Sequence, residues 1–505
     1  MSYNELGKQN RNNMMKKRKI LFVSSESVPY VKTGGLADVS KALVQALRKR
    51  GHDVRLVIPR YWQIDRGRPE VRTGIASMGV KTGAGTLWCS VLSERLGDLP
   101  VYFIEHEGFF GRSGIYDDGH FSYPDNAERF AFFSAACLRL CVDIGFIPDI
   151  VHCNDWQTAL VPAYLKTGHF RGLLPDSTAS VLSIHNIGYQ GKFPISAFPF
   201  TGLPSSVLTP DRMEDYGGIN YLKAGIFYAD AISTVSPSYA REILSDVGGN
   251  GLHVYLQRRR DDLTGILNGV DYSHWDPSRD ELIPAKYSRS RPDGKILCKE
   301  HLQKEFALEV NRDIPVIGIV SRFAQQKGFQ MLLPVFSSIV ESMRVQFAVV
   351  GSGEKYIERF FSRMAGKYPG RVGAWIGYNE NKAHLIEAGS DFFLMPSLYE
   401  PCGLNQIYSL KYGTLPIVRN TGGLKDTVEK YSELTGEGTG FSFDDPVPMA
   451  LKNAVGWAVS TYYDRPAHIR KMRENAMSKI FCWDMAAEKY EDLYEKAGKR
   501  RRAWT

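Results

Sequence analysis

The chain has 505 residues, of which 43% are hydrophobic, 12% aromatic and 23% charged, too long for one ordinary hydrophobic core and too rich in apolar residues for a disordered or fibrous class. The net charge of +8 is scattered except in "MMKKRK" at 14–19 and "GKRRR" at 498–502; this excludes the concentrated basic face of a nucleic-acid binder and leaves the two runs as expected solvated tails. Seven cysteines with no C-x-x-C pair, no apolar run near the ~18 residues of a membrane span, and a polar, Asn-rich opening argue against a disulfide framework, a membrane anchor and a secretory signal, and point to reduced thiols in a cytoplasm.

After an expected flexible tail, 1–17, "KILFVSSES" is a short apolar run with the character of a buried parallel strand. The loop "VKTGG" follows, then "LADVSKALVQALRKR", which places Leu36, Val39, Leu43, Ala46 and Leu47 on one helical face and ends in basic residues before Gly51. "DVRLVIP" completes a β-α-β unit. The pattern returns in "DIVHCNDW" with "QTALVPAYLKTG", in "ASVLSIHNIG" and in "DAISTVSPSYAREIL". The segment 264–280, "TGILNGVDYSHWDPSRD", is rich in turn formers and marks a boundary. Beyond it the rhythm restarts with "VIGIVSRFAQQKG", "VQFAVVGSGE", "GAWIGYNENKAHLIEAGSDFFLMPS" and "LPIVRNTGG". Two such series predict an α/β protein with two doubly wound Rossmann-like domains, 18–263 and 264–480. Each should have a parallel sheet with helices on both faces, and ligands should bind beyond the carboxyl ends of the strands, in a cleft between the sheets.

The chemistry-bearing residues fall just after strands. In "KTGG" the side-chain-free Gly34 and Gly35 let backbone N–H groups approach an anion at a helix start, with Lys32 as a mobile charge; alternatively the glycines make a turn and Asp38 complements the helix dipole. "NTGGLKDTV" repeats the pattern without the lysine, which suggests a backbone contact with phosphate or sugar at Thr421 and Gly422. "SRFAQQKG" sets Arg322 and Lys327 beyond a strand, where a planar fork and a point charge suit a departing phosphate. "SLYEPCGLNQ" carries Glu400, an acceptor for sugar hydroxyls or a neighbour for a cationic transition state, ahead of a turn in which Cys402 is expected to be a structural or contacting thiol. His185 and Asn186 end one strand; His152, Asn154, Asp155 and Trp156 end another. A phosphate-binding G-x-x-x-x-G-K-[ST] loop is missing, "GSGEKY" lacks the final glycine of a dinucleotide fingerprint, and no Asp-x-Asp triplet suggests a metal clamp.

Taken in order, "KTGGLADV", "HCNDW", "HNIGYQG", "LNGVD", "SRFAQQKG", "EPCGLNQ" and "NTGGLKDTV" resemble the bacterial glycogen synthases and plant starch synthases over residues 18–495. The resemblance implies a GT-B fold and transfer of glucose from ADP-glucose to the nonreducing end of an α-1,4-glucan with retention of configuration, with no cofactor and no metal. It implies that Lys32 and Gly35 contact the diphosphate, that Asp38 lies in the sugar site, and that His185 and Asn268 line the glucosyl pocket; the strand-end Asp155 and Asn186 are expected to be further substrate-binding residues. Arg322 and Lys327 would stabilise the leaving diphosphate and Tyr378 would pack on the base. Glu400 with the Cys402, Gly403 and Leu404 turn would hold the glucose. It also implies that 481–505 returns to the first domain as a helix anchored by Trp483, Tyr490 and Leu493, forming with 264–280 a hinge that closes on donor.

Two positions depart from the pattern. Many related retaining transferases have a second glutamate eight positions after the first, where this chain has Tyr408, and "FCW" at 481–483 replaces a common serine by Cys482. A two-glutamate mechanism therefore does not follow from the pattern, and the resemblance implies a front-face displacement in which the leaving phosphate helps activate the incoming hydroxyl. The alternatives are another GT-B enzyme, such as a sucrose-type or UDP-sugar transferase, and a catalytically silent glucan-binding protein.

Overall fold

The computed structural model describes residues 16–65, 72–170 and 172–503, so the expected tail up to residue 15 lies outside them. The chain divides into two compact units. The first takes in the chain up to Val235, Ala240–Ile266 and the segment from Trp483 on; the second is Ser236–Tyr239 with Leu267–Cys482.

In the first unit, β1 (Lys19–Val23), β2 (Asp53–Pro59), β3 (Arg72–Thr82), β4 (Gly85–Leu96), β5 (Leu99–Glu105), β6 (Ile150–Asn154), β7 (Ala179–Ile184), β11 (Ala231–Thr234) and β12 (Leu263–Gly265) form one sheet in the order β12-β11-β7-β6-β1-β2-β5-β4-β3. Strands β1, β6, β7 and β11 are buried almost throughout because helices cover both faces. The sheet is not wholly parallel, which corrects the expectation. Strand β4 pairs antiparallel with both β3 and β5, since the two-residue links Gly83–Ala84 and Gly97–Asp98 are too short for a crossover. A second, antiparallel sheet joins β8 (Lys192–Pro194), β9 (Glu214–Asp215) and β10 (Gly218–Asn220) in the order β8-β10-β9.

The helix Trp483–Arg502 belongs to this unit and buries Trp483, Tyr490, Leu493 and Tyr494. Its Glu491 accepts hydrogen bonds from Arg50 at 2.6 Å and pairs with His52 Nε2 at 2.8 Å, which holds the carboxyl down at about 2. The basic runs are not simply solvated tails. Arg18 is buried and pairs with Glu495, and Arg501 is buried with its guanidinium donating to the Asp176 and Leu165 carbonyls, because a fork of donors can satisfy main-chain acceptors at a helix packed on the unit.

In the second unit, β13 (Val316–Phe323), β14 (Gln346–Gly353), β15 (Val372–Ile376), β16 (Phe392–Met395), β17 (Leu415–Arg419) and β18 (Phe441–Phe443) form an all-parallel sheet in the order β15-β14-β13-β16-β17-β18. Its core is aromatic: Phe323, Phe329 and Phe361 meet with ring centroids 5.1–5.8 Å apart.

The sheet orders locate the chemistry. Strand order reverses between β13 and β16 in the second unit and beside β1 in the first, and the crevice outside such a switch point is where a doubly wound sheet receives its ligand. The loops leaving β1, β6, β13 and β16 therefore border the ligand crevice of each unit.

Candidate active site

In the second unit, β13 delivers Arg322 to its carboxyl end, where the side chain is exposed and makes no hydrogen bond with the described residues. Lys327, in the single turn Gln325–Lys327 that follows, donates to Glu400 Oε2 at 2.6 Å. Ser397, in the loop leaving β16, donates to the same oxygen at 2.9 Å, and Glu400 is only 5% exposed. A buried carboxylate held by one ammonium and one hydroxyl is fixed in place. The Arg322 guanidinium, nearby in sequence, is left uncommitted.

The turn after Glu400 is built tightly. Cys402 is buried, and burial pushes its thiol up to about 12 against an opposing hydrogen bond from the Asn268 backbone, so it is no nucleophile at neutral pH. Gly403 has φ 70°, and Leu404 precedes the helix Asn405–Lys411. The Thr421-Gly422-Gly423 segment packs onto this turn: a Cβ on Gly422 would lie 1.9 Å from the Glu400 carbonyl oxygen and one on Gly423 2.0 Å from that of Cys402. Here the two glycines are required by the fold. Asn268 is buried with its Oδ1 unpartnered among the described residues, while Tyr378, beyond β15, is 80% exposed. Tyr408 lies flat against Trp275, centroids 4.0 Å apart and planes 5° from parallel, so the position of a second glutamate serves packing.

In the first unit the other T-G-G has a different physical basis. Gly34 has φ −153°, and a Cβ on Gly34 or Gly35 would meet nothing within 4 Å. Neither backbone conformation nor packing demands glycine there, which disfavours the simple turn and favours room kept for a ligand at the start of the helix Gly35–Lys49. The loop is held from beneath by Glu26, buried, whose carboxylate accepts from the Thr33 N–H at 2.6 Å, the Gly34 N–H at 3.3 Å, the Thr33 hydroxyl at 2.5 Å and the Tyr116 hydroxyl at 2.7 Å. Lys32 Nζ bridges to Asp38 Oδ1 at 2.9 Å, with the lysine half exposed and the aspartate partly buried, a weak pairing that leaves the lysine able to turn to an anion.

At the ends of β6 and β7 the polar residues form one chain of hydrogen bonds. Asn154 donates its amide to the Val23 carbonyl at 2.9 Å, so its Oδ1 faces His185 Nε2 at 2.9 Å and accepts the proton there, leaving Nδ1 as the lone-pair nitrogen. Burial lowers the His185 pKa to about 4, so the ring is neutral at pH 7. Asp155 accepts from the His185 backbone N–H at 2.7 Å and adopts φ 56°, a strained conformation for a side-chain-bearing residue. Burial raises its pKa to about 7, opposed by hydrogen bonds from the His185 and Asn186 backbones. Asn186 Oδ1 accepts from the Gly188 N–H at 2.9 Å, closing the turn. His152 is further back, fully buried between Tyr494 and Ser183, and serves the packing of the C-terminal helix.

Glu26, Tyr116 and Ser397 were not singled out from the sequence. A lone acid in "SSES" carries no spacing signal; only its position one residue-pair beyond a strand marks it.

Residues 19–258 match the family model of the starch synthase catalytic domain, and residues 302–479 match glycosyl transferases group 1. A glycogen synthase of Treponema denticola is 46% identical over 490 residues, 95% of this chain and 98% of that protein. A glycogen synthase 1 of Geobacter metallireducens is 44% identical over 96% of this chain and 97% of its own length.

The chain belongs to the glycogen and starch synthase family.

It is a glycosyltransferase, and its two Rossmann-like α/β domains are those of the GT-B fold. The catalytic domain of starch synthase IV from Arabidopsis thaliana, a structure bound to ADP and acarbose, superposes with a TM-score of 0.86 at 32% identity, over 96% of this chain and all of that one. Sucrose-phosphate synthase from Thermosynechococcus elongatus shares the fold at 17% identity and a TM-score of 0.59. No helix among the described residues is long and apolar enough to cross a membrane.

Proposed function

We propose that this chain transfers glucose from ADP-glucose to the nonreducing end of an α-1,4-glucan, glycogen, with retention at the anomeric carbon. The observation that carries the proposal is the grouping at the β13/β16 switch point: an exposed, uncommitted Arg322 guanidinium beside Lys327, which is anchored on the buried Glu400 carboxylate. Breaking the anomeric carbon–oxygen bond puts negative charge on the departing diphosphate, and the anchored Lys327 ammonium together with the free Arg322 guanidinium stabilises that charge without a metal clamp. Glu400 and the Cys402–Leu404 turn hold the sugar hydroxyls, with Thr421 and Gly422 behind them and Asn268 Oδ1 offering an unpartnered acceptor. Tyr378, exposed after its strand, packs on the base.

In the first unit, Lys32 and the open backbone at Gly35 offer an anion contact, and Asp38, Asp155, His185 and Asn186 offer polar contacts to a sugar. A neutral His185 fixed by Asn154 suits a hydrogen-bonding role and not acid catalysis at neutral pH. With no reactive protein nucleophile assigned and Cys402 held protonated, a front-face displacement fits, in which a phosphate oxygen of the leaving group takes the proton of the incoming hydroxyl. Seven free thiols fit a reducing cytoplasm.

The test is product analysis. Labelled glucose from ADP-glucose should enter a glycogen primer and be released by an exo-acting hydrolase specific for α-1,4 linkages. Label that resists it, or that appears only as free glucose, overturns the proposal.

A further inference from the structure

Three metal-ligating side chains meet in the second unit, outside the residues proposed for catalysis. His274 lies in the boundary loop, and Glu380 and His384 lie one turn apart on the helix Glu380–Gly389, on the same face. Their ligand atoms all fall within 4.8 Å of one another, and His274 Nε2 is 3.2 Å from Glu380 Oε1. No spacing motif reveals this, because 106 positions separate His274 from Glu380.

His384 gives the cluster its direction. The ring is fully buried and its Nδ1 lies 2.8 Å from Asp280 Oδ2, an acceptor that also receives the Tyr412 hydroxyl at 2.5 Å. A carboxylate accepts only, so Nδ1 carries the proton and the lone pair is on Nε2. That nitrogen is buried with no hydrogen-bond partner among the described residues, an arrangement folded proteins avoid unless something fills the vacancy. The ring cannot turn away: Trp275 stacks on it at 3.7 Å and 15°, and Tyr408 stacks on the other face of Trp275. A carboxylate behind the far nitrogen of an imidazole is the second shell that orients a metal-binding histidine.

We propose that His384 Nε2, His274 Nε2 and the Glu380 carboxylate bind one divalent transition-metal ion of the Zn²⁺ or Co²⁺ class. Two imidazoles and a carboxylate are the donors such borderline ions take, whereas Mg²⁺ and Ca²⁺ prefer all-oxygen sets. Ligand atoms about a tetrahedral zinc stand roughly 3.3 Å apart, so the cluster needs only a small closing movement, and His274 and Glu380, each about half exposed, are free to make it. Water completes the sphere on the open side. The ion ties the boundary loop to the first turn of the Glu380–Gly389 helix; it carries no step of the glycosyl transfer.

The test uses the full chain stripped with EDTA and then titrated with Co²⁺ or Zn²⁺. The expected result is one ion per chain, a Co²⁺ absorption spectrum of low-coordinate type, and a rise in Tm with Zn²⁺ that Mg²⁺ does not reproduce. His274→Ala and Glu380→Gln, at half-exposed positions that leave the core intact, should each weaken binding by at least about tenfold and abolish the Tm rise, while the exposed His301→Ala changes neither. Failure of the wild-type chain to bind at micromolar metal, or unchanged affinity and Tm rise in His274→Ala, overturns the proposal.

Discussion

Arg322→Ala separates a catalytic cation from a surface one. The side chain is exposed and makes no hydrogen bond with the described residues, so its removal should change unfolding free energy by no more than about 0.5 kcal/mol. If the guanidinium stabilises the departing diphosphate, its loss removes about 2.7–4 kcal/mol of transition-state stabilisation, or about 10²–10³ in kcat. Lys327→Ala should behave differently, because Lys327 also neutralises Glu400 at 2.6 Å and the carboxylate is buried. Stranding a buried charge costs about 3–5 kcal/mol, nearer the lower figure here since Ser397 still donates and Lys327 is itself 19% exposed. Initial rates with labelled ADP-glucose at saturating glycogen, beside urea melts of each variant, read both quantities. A folded Arg322→Ala enzyme with kcat within about threefold of wild type, under about 0.7 kcal/mol, would refute the assignment.

The twin T-G-G segments should respond oppositely to the same change. Gly35→Ala has open space for its Cβ and should stabilise the helix start by up to about 1 kcal/mol while lowering kcat/KM for the donor. Gly423→Ala meets the Cys402 carbonyl at 2.0 Å and should destabilise by about 1–3 kcal/mol or more; thermal melts and steady-state rates distinguish the two. Activity should survive EDTA, and loss restored by Mg²⁺ or Mn²⁺ would contradict charge stabilisation by side chains alone. Burial lowers the folded pKa of His152 to about 3, so between that value and the unfolded value of about 6.5 the unfolded chain binds the extra proton and stability falls as pH falls. From pH 7.5 to pH 5 this amounts to about 2 kcal/mol; His152→Gln, less stable at pH 7.5, should therefore close its gap with wild type by about that much at pH 5, as urea melts at the two pH values would read.

What was legible in the sequence was the part written in local patterns. Apolar runs followed by helical stripes gave the parallel strands, and polar residues just after them marked Arg322, Lys327, Glu400, His185 and Asp155 as candidates. Strands β3 and β4 were not singled out, since β3 is largely exposed along its length and polar residues interrupt both; β5, LPVYFIE, does carry an apolar run and was legible, but no helical stripe follows it directly to complete a β-α-β unit. The repeated T-G-G was legible as a repeat but not as two different devices; one glycine pair is forced by carbonyls 1.9–2.0 Å away, the other is not forced by the protein at all. The basic ends looked solvated because charge alone does not say that Arg18 and Arg501 find acceptors beneath them. Glu26 and the His274, Glu380 and His384 cluster depend on tertiary folding, which no spacing encodes.

Donor competition tests the central claim most directly. The purified chain, given ADP-glucose and UDP-glucose separately with glycogen, should show a markedly higher kcat/KM for ADP-glucose and build α-1,4-linked product from it. A higher kcat/KM with UDP-glucose, or binding of glycogen without transfer from either donor, would contradict it.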